Sequence, residues 1–147
     1  MVYYKQGKRI EIIRRISKED YLMKAKFLIC RHCGNMIHMI EDKGVPVMCC
    51  GQKMDVLEPN TVEASGEKHL PDVKDENGML RVNVGSVEHP MLDEHYIQWI
   101  AVETEKGIQL KKLHPGEKPT ALFALADDKA IAVYEYCNLH GLWKTEL

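Results

Sequence analysis

The chain has 147 residues, of which 45% are hydrophobic and 29% charged, and its formal net charge is -2. A chain of that size and make-up is a soluble globular protein with one ordinary domain, or two small ones if something besides an apolar core holds the smaller together. The charge supplies no global case for a nucleic-acid or membrane partner, and no apolar run has the length of a signal peptide or a membrane span, so the expected location is the cytoplasm.

Residues 1 to 25 read as a basic extension. Ile10, Ile13 and Ile16 or Leu22 recur at roughly helical spacing among Lys5, Lys8, Arg9, Arg14, Arg15 and Lys18. Residues 1 to 29 hold eight basic side chains against Glu11, Glu19 and Asp20, which makes this part +5 and the remainder -7. A solvated amphipathic segment packing on its own domain or on a dimer partner accounts for the pattern. The alternative is a docking surface for an acidic redox protein or nucleic acid, although about 25 residues is short for a DNA-binding fold.

From Lys26 the pattern changes. Lys26-Phe27-Leu28-Ile29-Cys30 reads as a short strand entering the knuckle Cys30-Arg31-His32-Cys33-Gly34, and Cys49-Cys50-Gly51 follows after fifteen intervening residues, Gly34 to Met48. Five cysteines is an odd number, and four of them pair in a style that points, in a reducing compartment, to metal rather than to disulfides. Four thiolates so placed can close a tetrahedral site for iron or zinc. Neighbouring side chains of an extended strand point to opposite faces, so Cys49 and Cys50 reach one ion only if the backbone bends there. A module over residues 26 to 60 is too small for an apolar core to suffice, and metal is expected to hold it folded. Leu57-Glu58-Pro59-Asn60-Thr61 reads as a linker.

Residues 61 to 147 read as short strands and turns. Asn77-Gly78 is a tight turn, Leu80 to Val84 alternates, Tyr96 to Thr104 is a longer strand, and Glu105-Lys106-Gly107 is a second turn. Ile108 to Leu113, Ala121 to Leu125 and Ala130 to Tyr136 follow. This spacing favours an all-β sandwich or barrel.

Histidines punctuate the same region at turn-like positions, His69, His89, His95 and His140, the last inside Glu135-Tyr136-Cys137-Asn138-Leu139-His140-Gly141-Leu142-Trp143. Cys137 and His140, two residues apart, can reach one ion from a single tight turn. One histidine alone is usually an ordinary surface or core residue. Four on loops, together with a C-x-x-H pair, suggest a second metal site built mostly of imidazole.

The Cys30, Cys33, Cys49, Cys50 module, followed by E-K-H, H-P-M-x-x-x-H and E-Y-C-N-L-H-G-x-W, resembles the desulfoferrodoxin family, the two-iron form of superoxide reductase. The likeness runs from about Lys26 to the C-terminus, and the extension of residues 1 to 25 departs from the family pattern. The resemblance implies a mainly β protein: a desulforedoxin-like or rubredoxin-like domain with an Fe(Cys)4 centre, then an immunoglobulin-like β-sandwich, in a homodimer. It implies two non-haem irons per chain, the second held by His69, His89, His95 and His140 in its plane and by Cys137 on its axis. It makes Glu67 and Lys68 the flexible pair beside the open sixth position, and it leaves His32, His38 and His114 without a metal.

On this reading the chemistry is one-electron reduction of superoxide to hydrogen peroxide, with a rubredoxin-like electron donor. Four neutral imidazoles and one thiolate leave a ferrous site singly positive, open to a small anion opposite the sulfur. Thiolate donation favours electron transfer, as in thiolate-ligated haem. Lys68 steers the anion and positions a proton-delivering water. Glu67, a hard oxygen donor, suits the ferric state. Two other classes compete: a zinc-stabilised binding module, which leaves the set of four histidines and one cysteine unexplained, and an electron carrier without turnover.

Overall fold

The computed structural model describes residues 25 to 147 and, ahead of them, the backbone of two short paired strands, β1 (Tyr3–Lys5) and β2 (Lys8–Ile10). The helical spacing read across Ile10, Ile13, Ile16 and Leu22 falls outside the described residues except at Ile10, which lies in β2 opposite Tyr3.

The cysteine-bearing module consists of β3 (Phe27–Ile29), β4 (Met36–His38), β5 (Met48–Cys49), β6 (Gln52–Lys53) and β7 (Asp55–Val56). Strand β3 lies between β4 and β7, and β5 pairs with β6 as a separate hairpin. Alternation along β3 divides its side chains between two cores. Leu28 packs with Cys30 and Met54 inside the module, while Phe27 and Ile29 face the opposite way and join Trp99, Ala101, Tyr134, Tyr136 and Leu142.

A single turn of helix, α1 (Gly66–His69), leads into the larger body. Its strands are β8 (Pro71–Glu76), β9 (Met79–Val84), β10 (Ile97–Thr104), β11 (Gly107–Lys112), β12 (Thr120–Ala124), β13 (Ala130–Cys137) and β14 (Gly141–Glu146). They form a four-stranded sheet in the order β11-β10-β13-β14 and a three-stranded sheet in the order β12-β9-β8. Seven strands split four and three match the count of a constant-type immunoglobulin sandwich. Leu80, Val82 and Val84 of the expected alternating strand point inward, against Ile97, Ile100, Val102, Phe123 and Val133.

One irregularity sets the site. Ile97 pairs with Cys137 but Trp99 pairs with Tyr136, so Gln98 is an extra residue in β10. Ile97 and Cys137 therefore face the sandwich interior, while Trp99 and Tyr136 face the cysteine module. Strands β8 and β14 were not anticipated from sequence. In β8 only Pro71 is buried, so Asp72-Val73-Lys74-Asp75-Glu76 lacks an apolar rhythm. The segment read as a linker is fastened at both ends: the Leu57 N–H donates to the Phe27 carbonyl at 2.9 Å, and Asn60 exchanges bonds with Lys144 at 2.9 and 3.1 Å. Among the described residues no helix is long and apolar enough to cross a membrane.

The Phe27 ring centroid lies 4.8 Å from that of Trp99 and 5.4 Å from that of Tyr134, so Phe27, with Ile29 and Leu57, seats the module on the sandwich. Phe27→Ala should cost about 3–5 kcal/mol in denaturant unfolding followed by tryptophan fluorescence. A loss below about 1 kcal/mol would mean that metal, rather than this packing, seats the module.

Candidate metal centres

Cys30 directly follows β3, Cys33 stands in the turn after it, Cys49 ends β5 and Cys50 begins the turn to β6. The knuckle is closed by the Gly34 N–H donating to the Cys30 carbonyl at 2.9 Å. The bend expected between Cys49 and Cys50 is present: Cys50 and Gly51 have φ of 51° and 74°, both left-handed, as the two central residues of a primed hairpin turn require. All four sulfurs lie within 4.8 Å of one another. Backbone N–H groups of Cys33 and His32 lower the Cys30 thiol to about 6, and the neighbouring Cys33 sulfur is the main cause pushing Cys50 up to about 12. Four crowded thiols cannot all ionise without a cation between them, which is the state a thiolate-binding metal requires.

The second group draws on four separate stretches of chain. His69 ends α1, His89 lies in the loop after β9, His95 precedes β10, and Cys137 and His140 bracket the turn from β13 to β14. Their ligand atoms also lie within 4.8 Å of one another. His69, His89 and Cys137 are buried, whereas His95 and His140 are half-buried.

The imidazole tautomers follow from their partners. The His69 Nδ1–H donates to the Ser65 carbonyl at 2.8 Å, and the His89 Nδ1–H donates to the Pro90 carbonyl at 2.6 Å. With Nδ1 protonated in both neutral rings, their Nε2 atoms present bare lone pairs to each other at 3.2 Å. The buried His95 Nε2 has no hydrogen-bond partner among the described residues. Burial pushes the His69, His89 and His95 values down, His89 to about 4, so protonation does not relieve the crowding near neutral pH. A cation between these donors does relieve it, and the residues fit one. His140 differs from His69 and His89: its Nδ1 faces the group, 2.9 Å from His69 Nε2 and 3.6 Å from Cys137 Sγ. Burial raises the Cys137 thiol, with partial relief from the Leu139 and His140 N–H groups, so a bound cation must supply the pull that ionises it.

Glu67 and Lys68 are exposed on α1, directly before His69. The Lys68 charge acts on the site, contributing to the depression of both His69 and His95. His32, His38 and His114 join neither group: His32 and His114 are exposed, and the His38 ring packs 5.3 Å from Phe27.

Several supporting residues were not assigned from sequence. Asn138 stitches the Cys137 turn to the His95 segment, its Oδ1 accepting from the Tyr96 N–H at 2.9 Å and its Nδ2 donating to the Glu94 carbonyl at 2.9 Å. Its place between two donors in C-x-x-H was the only available signal. Trp143 stacks on His69 at 4.9 Å and donates from Nε1 to the His140 carbonyl at 3.2 Å. The Asn35 amide lies 3.6 Å from Cys49 Sγ. Glu135 is fully buried with neither carboxyl oxygen bonded among the described residues, and burial pushes it well above the usual carboxylate range.

Residues 61–146 match the family model for desulfoferrodoxin. The chain is similar to a desulfoferrodoxin from Syntrophotalea carbinolica, 43% identical over 117 residues, covering 80% of this chain and 92% of that one. The desulfoferrodoxin of Nitratidesulfovibrio vulgaris is 42% identical over 118 residues, with 80% and 92% covered. Among solved structures, the superoxide reductase from Treponema pallidum superposes with a TM-score of 0.72 and 39% identity, over 84% of this chain and 100% of that one. The group of four cysteines and the group of four histidines with one cysteine match desulfoferrodoxin's two iron sites.

Metal analysis after anaerobic purification should find about two irons per chain, with visible absorption that zinc would not give. Cys33→Ser should lower the count to about one, and Cys137→Ser should remove the sulfur-to-iron band of the oxidised second centre. A colourless, iron-free protein would contradict the assignment.

Proposed function

The chain belongs to the desulfoferrodoxin family, and on that premise we propose the division of labour by which its residues reduce superoxide to hydrogen peroxide. The observation that carries the reading is the convergence of four imidazole nitrogens and one buried sulfur within 4.8 Å. An iron held by His69, His89, His95, His140 and Cys137 supplies the single electron when bound. With two protons, that electron converts superoxide to hydrogen peroxide.

The remaining work falls to the chain. Cys137 donates charge from inside the sandwich, where Ile97, its partner across the sheet, is fully buried and keeps water from the sulfur. Lys68 draws the anion in, since a rim charge acts over roughly 8 Å at physiological ionic strength. It also holds the water that gives up a proton. Glu67, beside it on the same turn, is the hard carboxylate that would hold the ion in its oxidised state.

A rubredoxin-type protein is the proposed donor, and the functional unit is a homodimer. Exposed Ile40, Val45 and Met48, at 74%, 72% and 61% exposure, supply apolar surface for association.

Pulse-generated superoxide provides the test. The reduced protein should capture it on the order of 10⁸ M⁻¹s⁻¹ or faster at low salt, with a rate that falls as salt rises. Lys68→Ala should slow capture about tenfold and flatten that salt dependence while leaving the iron spectrum nearly intact. An unchanged rate would remove Lys68 from the mechanism, and the absence of any fast second-order reaction would leave an electron carrier.

A further inference from the structure

Gly85 stands apart from the other described glycines. Gly34, Gly44, Gly51, Gly78, Gly107 and Gly116 all have positive φ, yet a Cβ added at any of them would meet nothing within 4 Å. At Gly85, buried and with φ of +80°, a Cβ would stand 2.3 Å from the Val87 carbonyl oxygen, 2.7 Å from that of Lys68 and 2.8 Å from that of Glu67. All three neighbours are backbone, which cannot swing aside as a side chain can. Two of them belong to the pair placed at the mouth of the iron site.

Hydrogen bonds explain why the chain comes so close. The Val87 N–H donates to the Glu67 carbonyl at 3.0 Å, the Ser86 hydroxyl to the same carbonyl at 3.3 Å, and the Gly85 N–H to the Leu70 carbonyl at 3.3 Å. The turn from Gly85 to Val87 thus grips α1 near its start, at Glu67, and just past its end, at Leu70. The same turn leads to His89, whose N–H returns to the Val84 carbonyl at 3.3 Å. One tight turn therefore sets α1, which carries His69, against the loop that carries His89.

We propose that Gly85 is a positioning residue for Glu67 and Lys68: only a residue without a Cβ lets the Gly85–Val87 turn close on α1, and that closure fixes the backbone of the pair while leaving their side chains free in solvent. The consequence for catalysis rests on the roles given above to Lys68 and Glu67. Motion of the pair is then rotation of side chains on a held backbone, and the Lys68 charge stays within one side chain's reach of a fixed point on the rim.

Amide hydrogen exchange on the iron-loaded protein is the test, because it reads the backbone directly. In Gly85→Ala and Gly85→Asn, exchange across residues 65 to 70 should be at least tenfold faster than in wild type. Asn tolerates a left-handed backbone but brings the same Cβ, so it should be no milder than Ala if the close contact matters more than the dihedral. Gly78→Ala, at φ of +82° and facing open space, carries the dihedral cost alone and should leave both that exchange and superoxide capture unchanged. Capture should fall about tenfold in the Gly85 variants, and adding Lys68→Ala to Gly85→Ala should cost little more. Wild-type exchange over 65 to 70 in Gly85→Ala overturns the proposal. Should the Gly85 variants fail to load iron, Ser86→Ala decides, since it removes one bond to the Glu67 carbonyl and adds no atoms: faster exchange supports the clamp and unchanged exchange overturns it. If Gly85→Ala frees the exchange while Lys68→Ala leaves capture intact, the clamp stands and the role given to Lys68 falls.

Discussion

Four imidazole nitrogens and a thiol sulfur are packed within 4.8 Å, and no placement of protons satisfies them all at neutral pH. Two of the rings already spend their single N–H on the Ser65 and Pro90 carbonyls, which leaves their facing nitrogens as lone pairs 3.2 Å apart. Burial, the largest influence on both rings, works against charging either. A cation is the one species that turns this mutual repulsion into attraction, so the loops after β9 and before β10, the β13–β14 turn and α1 are arranged around a charge the protein does not itself carry. The backbone carbonyls that select the tautomers are as much part of the site as the rings. They decide which nitrogen faces inward before any metal arrives.

That arrangement is possible because one sheet is buried on both sides. The extra residue in β10 at Gln98 allows Ile97 and Cys137 to turn inward while Trp99 and Tyr136 turn outward onto Phe27 and Ile29. The inward face supplies a dry wall behind the sulfur. The outward face supplies the floor on which the cysteine module rests, and this adds to the small core that the module builds from Leu28, Cys30 and Met54. The two centres are thus tied by neighbouring residues of β13, Tyr136 on one side and Cys137 on the other. Strand β3 repeats the device in miniature, sending Phe27 and Ile29 to the sandwich and Leu28 and Cys30 to its own module.

Much of this was legible in the residues. The C-x-x-C-G knuckle, the need for a bend at Cys49-Cys50 and the alternation of Leu80, Val82 and Val84 all depend on local geometry, which spacing records. Strands β8 and β14 were not legible, because β8 is nearly all exposed and the side chains of Gly141 to Glu146 divide among several environments. The four histidines look equivalent in sequence. Which ring nitrogen each presents depends on carbonyls that no side-chain pattern encodes, and His140 turns out to present Nδ1 where His69 and His89 present Nε2. Asn138 stood in plain view between two ligands, but its bonds to Glu94 and Tyr96 span more than forty residues of chain. Contacts of that kind are made by the fold, and a single sequence carries no trace of them.

The charged rim shows why a held backbone suits this chemistry. Superoxide is small and offers few contacts, so its capture depends on field rather than on fit. A lysine on a loose loop would spread its charge over many positions and would have to be ordered at each encounter, at a cost of about 1–2 kcal/mol for every backbone residue fixed. Lys68 stands on a turn already closed by bonds from Gly85, Ser86 and Val87, so only its own side chain remains to be ordered. Its charge is then confined to the reach of one side chain before the anion arrives, so the ordering left for the encounter is that of a few rotamers and not of a loop.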